Sequence, residues 1–149
     1  MRQTGLVDGV VLALIAGSLA GCSGSAKAFP DGVYRQTITR QDILEAFPQV
    51  GEDLIRSNAG VITYRFSHRT ITWRQRPQYA TNSNTSGKGT YRVSGDVFVV
   101  HWSACGGCPA DETIHWKWDG KVLRLHKDTE DQGDIIIWNL EPLVKAADR

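Results

Sequence analysis

From residue 32 onward the chain alternates apolar and polar side chains with period two, which commits it to strands with one buried face. The alternating segments are 32–40, 61–67, 70–76, 88–94, 97–103, 113–118, 121–126 and 134–140. Turn residues separate most of them, so consecutive strands are expected to pair as hairpins. A turn at Gly95-Asp96 pairs Ser94 with Val97, which sets Val93 opposite Phe98 and Tyr91 opposite Val100. A turn at His68-Arg69 sets Phe66 opposite Ile71 and Tyr64 opposite Trp73. A turn at Asp119-Gly120 pairs Trp118 with Lys121, Trp116 with Leu123 and Ile114 with Leu125. Each register puts apolar partners on the same face, and the opposite face carries Arg65, Arg74, Arg92, Lys117 and Arg124.

All five tryptophans, Trp73, Trp102, Trp116, Trp118 and Trp138, share the apolar parity with Tyr34, Tyr64, Phe66, Tyr91 and Phe98. Each such ring buries about 150–250 Å², so the face they occupy must be enclosed. The fold class expected is all-β: an eight-stranded antiparallel up-and-down barrel. An eight-stranded barrel has an interior just wide enough for packed side chains or one small ligand. The pattern leaves both open. If a ligand is held, Tyr64, Trp73, Tyr91, Trp102, Trp116 and Trp138 are its expected lining.

Two connections interrupt the meander. Residues 41–59 form a short helical insertion between strands 1 and 2, with Thr39 and Asp42 as a capping pair and the first helix ended before Pro48. Its Ile43, Leu44, Phe47, Leu54 and Ile55 need an apolar surface, and one open end of the barrel offers it, as plug or as lid. Residues 77–87 are a polar connection that includes the sequon Asn84-Thr85-Ser86.

Cys105-Gly106-Gly107-Cys108 follows a strand and precedes Pro109, so it reads as a hairpin tip closed by a disulfide. A redox pair normally sits at a helix N-terminus, which this motif does not. A zinc site needs further ligands, and there is no second cysteine pair. Should the Cys hairpin be centred near Cys108, His101 and His115 face each other with His126 diagonal, a trio able to take a transition metal. Solvent-facing histidines are the ordinary explanation, and no metal or cofactor is expected. No nucleophile elbow, P-loop, dinucleotide fingerprint or His-Glu-x-x-His is present, so no catalytic residue is assigned and an enzyme is not expected. A formal charge of +1 gives no electrostatic footprint for nucleic acid.

Residues 10–20 are apolar but too short to cross a bilayer, which takes about 20 residues. They end in Leu19-Ala20-Gly21-Cys22, which resembles a bacterial lipobox. That resemblance implies a lipoprotein signal peptide over 1–21, diacylglycerol on Cys22, a flexible tether over 22–30 and a barrel domain over 31–149. The expected location is the extracytoplasmic face of a cell membrane, held by the N-terminal lipid.

Asp31-Gly32-Val33-Tyr34-Arg35, the helical insertion, the run from Gly89 to Asp96 and the run from His115 to Lys121 together resemble a small lipocalin-like (calycin) barrel. More loosely they are similar to β-rich domains on actinobacterial lipoproteins. The resemblance covers most of the chain beyond Cys22 and implies a fold, not a site. The function expected is a lipid-anchored binding protein with a small hydrophobic or aromatic ligand, or a lipid, in the barrel. The alternative is a packed barrel that meets another envelope protein through its outer surface.

Overall fold

A computed structural model describes residues 28–80 and 85–147. The apolar run, Cys22, most of the tether and Asn84 of the sequon lie outside the described residues. Strands β1 (Gly32–Ile38), β2 (Gly60–Ser67), β3 (Thr70–Pro77), β4 (Ser86–Ser94), β5 (Val97–Ala104), β6 (Asp111–Trp118), β7 (Val122–His126) and β8 (Leu143–Lys145) close into one barrel. Every neighbouring pair is antiparallel, and β1 meets both β2 and β8. The architecture is the expected up-and-down barrel and is compatible with a lipocalin-like fold.

Helices α1 (Arg40–Ala46) and α2 (Glu52–Asn58) form the insertion between β1 and β2. Strand β1 stops short of residue 40 because Thr39 caps α1. Its hydroxyl accepts from the Asp42 amide while the Asp42 carboxylate accepts from the Thr39 amide, a reciprocal pair that satisfies two otherwise orphaned donors.

Two hairpins have the expected register: Tyr64 faces Trp73 across β2–β3, and Val93 faces Phe98 across β4–β5. The β6–β7 hairpin differs. Trp118 pairs with Leu123 and Trp116 with Leu125, because the Asp119 carboxylate accepts from the amides of Lys121 and Val122 and holds a wider loop. The slip is two residues, so the inward face is unchanged.

The predicted strand over 134–140 is not one. Helix α3 (Gln132–Asp134) runs into a π-helical segment, Ile135–Leu140, and the strand that closes the barrel is β8, after Pro142. The Asp131 carboxylate caps this turn through the Asp134 amide, and Ile135 N–H donates to the Asp131 carbonyl. A short apolar run reads the same way in a buried strand and in a buried helix, and here the cap decides. Trp138 stays buried all the same.

The barrel's two ends differ. The turn end carries the β2–β3, β4–β5 and β6–β7 turns and is filled by Phe29. That ring, assigned from sequence to the tether, lies 5.0 to 5.3 Å from the rings of Phe66, Tyr91, Phe98 and Trp116. Asp31 fastens the same end, accepting from the Tyr91 hydroxyl at 2.9 Å and the His68 amide at 3.1 Å. The helix end is framed by α2, the Cys105–Cys108 hairpin tip and the α3–π-helical segment, and here the interior is open.

Candidate functional site

A cavity of about 260 Å³ opens at the helix end. Its wall is made by a local device in β4. Gly87 and Gly89 occupy inward positions without side chains, and each pairs with a tryptophan on a flanking strand, Gly87 with Trp73 and Gly89 with Trp102. The indoles lie over the glycines so closely that a methyl group on Gly87 would overlap Trp73 Nε1, and one on Gly89 would stand 3.1 Å from Trp102 Cε3. Two bulky rings therefore converge where four side chains would have filled the interior. Tyr64, paired with Trp73, and Trp138, with ring centroids 6.0 Å apart, add two more rings to the lining.

The polar part of the site is buried with the rings. The Glu112 side chain is 4% exposed, and its carboxylate accepts from Trp102 Nε1 and, at 2.6 Å, from Lys127 Nζ. Lys127 also donates to Asp134 at 2.6 Å. Burial opposes the charge on Lys127, but the hydrogen bonds to Asp134 and Glu112 outweigh it and its pKa is raised. Burial raises the Tyr64 phenol far above its ordinary value, with the Glu112 charge acting in the same direction, so that hydroxyl is neutral. Gln75 donates to the Ser57 carbonyl at 3.1 Å, which pins α2 beside the opening, and within α2 Asn58 donates to the Leu54 carbonyl at 2.8 Å. Opposite, Gln36 donates to the carbonyls of Ile137 and Glu141, at 2.9 and 2.7 Å, and fixes the π-helical segment.

Of the six residues expected to line a ligand, Tyr64, Trp73, Trp102 and Trp138 surround this cavity. Tyr91 and Trp116 do not; they pack on Phe29 at the turn end. Cys105 and Cys108 stand at disulfide distance, Cα atoms 5.4 Å apart, and their loop forms one side of the opening.

The histidine trio is not assembled. The β5–β6 hairpin is centred on Gly106, not Cys108, so His101 faces Asp111 and bonds to it at 2.9 Å. His115 instead faces His126, with Asp128 2.9 Å from His126. No group of metal-ligating geometry occurs among the described residues.

The sequence reading missed Glu112, Gln75, Asn58 and Lys127. Glu112 and Gln75 carried a readable signal: both fall on the inward parity of their strands, beside Ile114 and Trp73.

Comparison of this chain with protein-family models, with curated proteins and with solved structures finds no match.

Proposed function

We propose that this chain is an extracytoplasmic binding protein, anchored by a lipid on Cys22, that holds a small aromatic or hydrophobic ligand at the helix end of its barrel. The observation that carries the reading is the contrast between the two ends. One is closed by Phe29, whereas the other is an aromatic cavity whose polar groups are already fixed by partners. A volume of about 260 Å³ lies just under the roughly 300–1,000 Å³ of sites for drug-sized ligands. It suits a molecule of one ring or two rather than a complete lipid. The described chain enters the barrel at the turn end, opposite the cavity.

Native mass spectrometry of protein purified from its own cells tests this. A small adduct that is lost in Trp138→Ala is expected; bare protein, together with tryptophan emission unchanged on denaturing and refolding, would overturn it. Cys22→Ala should move the protein from the membrane to the soluble fraction, and continued membrane retention rejects the anchor.

One observation favours the alternative, a partner on the outer wall. Arg35, Arg65, Arg74, Arg76, Lys88 and Arg92 are exposed on β1 to β4, and among the described residues Asp111 is the one acid at an outward strand position. Such a wall suits an acidic envelope partner. Charge reversal at Arg35 and Arg74 separates the readings, because it abolishes partner binding and leaves the cavity intact.

A further inference from the structure

We infer that the ligand is a small organic cation, an amine or quaternary ammonium group carried on an apolar body. This rests on the reading of the cavity as a ligand site and names the chemistry it selects. Charge in this chain is sorted by location. The whole sequence is nearly neutral at +1 and the outer wall of β1 to β4 is basic, yet the cavity lining holds three acids, Glu112, Asp131 and Asp134, and no Lys, Arg or His. Lys127, the cation nearest these acids, is not part of the lining; it grips Glu112 and Asp134 from behind. Glu112 is buried, Asp134 part-buried and Asp131 exposed at the rim, so three carboxylates against one ammonium leave a net negative field that is strongest at Glu112 and screened toward the opening.

The rings add to this. The indoles of Trp73, Trp102 and Trp138 and the neutral phenol of Tyr64 all line the cavity, and the faces of such rings attract a cation, tryptophan most of all. A neutral apolar ligand gains from the rings but has no use for the acids. An anion is repelled by both. A cation uses every part of the lining, and an alkylated ammonium does so with the smallest hydration cost. The carboxylates do not need a ligand in order to fold: Asp131 caps Asp134 and Glu112 is hydrogen-bonded. The cavity is therefore preorganised before the cation arrives.

The test uses three probes of similar size on the full chain, read by tryptophan emission: phenyltrimethylammonium, its uncharged isostere tert-butylbenzene, and benzoate. Phenyltrimethylammonium is expected to bind at least tenfold more tightly than tert-butylbenzene, and benzoate more weakly than either. Asp131→Asn, which keeps a good helix cap, should weaken the cation at least threefold and leave tert-butylbenzene unchanged. Equal binding of the cation and its isostere, or no effect of Asp131→Asn on the cation, overturns the cation inference while the cavity remains a ligand site. If none of the three perturbs the emission, the cavity reading falls with it.

Discussion

Replacing Glu112 by leucine is expected to destabilise the barrel by about 3 kcal/mol, and removing Lys127 as well should restore much of that loss. The numbers follow from burial. The Glu112 side chain is 4% exposed, that of Lys127 14% and that of Asp134 30%. Glu112→Leu leaves the Trp102 indole N–H without its acceptor, worth about 1–3 kcal/mol for a buried donor. It also leaves Lys127 with one carboxylate where it had two. Breaking a fully buried pair costs about 3–5 kcal/mol; the surviving Asp134 contact places this case at or below the low end. Lys127→Met strands two carboxylates near each other and should cost about 2 kcal/mol on the same grounds. In the double variant the fully buried charge is gone and Asp134, 30% exposed, is left to water, so the orphaned indole is the main remaining cost, about 1–2 kcal/mol. The cycle therefore predicts a coupling of about 3 kcal/mol.

Urea unfolding at neutral pH with matched m-values measures it. Effects that add to within about 0.5 kcal/mol would refute the buried triad, since that is how independent sites behave. Alkaline pH gives a second readout from the same variants. The Lys127 pKa lies above its ordinary 10.5 in the folded state. Its stabilisation is thus complete below pH 10.5 and is lost as pH rises through the folded value. The raised phenols of Tyr64 and Tyr91 act in the same direction above pH 10, because the unfolded chain ionises there first. The Lys127 share is the part of the alkaline loss that Lys127→Met does not show. Identical alkaline slopes would contradict it.

Gly87→Ala should cost about 1–3 kcal/mol by overpacking and push Trp73 from its place over β4, seen as altered near-ultraviolet dichroism and a loss of probe binding; an unchanged spectrum would remove the glycine device. His68 and Arg69 hold φ of 47° and 63° at the β2–β3 turn, a left-handed conformation that costs a branched or long side chain roughly 1–2 kcal/mol. The pair His68→Asn, Arg69→Gly should therefore gain about 1 kcal/mol and raise Tm by about 3–5 °C, and a lower Tm in calorimetry would show that the 2.9 Å contact of the His68 ring with the Ser67 hydroxyl outweighs the turn strain.

The barrel was legible because its evidence is local. Alternation in each strand and two-residue turns at His68-Arg69 and Gly95-Asp96 set both face and register without long-range information. What escaped was set by interactions that pattern does not encode. The Asp119 side chain, not a two-residue turn, sizes the β6–β7 loop. The six-residue Cys loop between β5 and β6 leaves its register free, so a shift from Cys108 to Gly106 was enough to separate His101 from His115. The π-helical segment is fixed by the Asp131 cap and by the Gln36 amide from a strand at the other end of the sequence. Phe29 looked like tether because nothing before β1 alternates, yet it fills the turn end.

The site itself was half legible, and the half that was missed follows a rule. Alternation reports where a side chain points, not what it touches. Gln36, Gln75 and Glu112 all sit on inward positions of β1, β3 and β6, one inward step nearer the helix end than Tyr34, Trp73 and Ile114 respectively. A polar group there loses its water and must find a partner. The partners, Ile137, Ser57 and Lys127, come from segments that pattern reading treats as connections. An acid on the apolar parity is thus not a solvated acid misplaced by one residue; it marks where the interior stops being oil and starts being chemistry. Three such breaks, all toward one rim, identify the end of the barrel that was left unfilled. Glycines at 87 and 89 on the strand between Trp73 and Trp102 explain why it stayed that way.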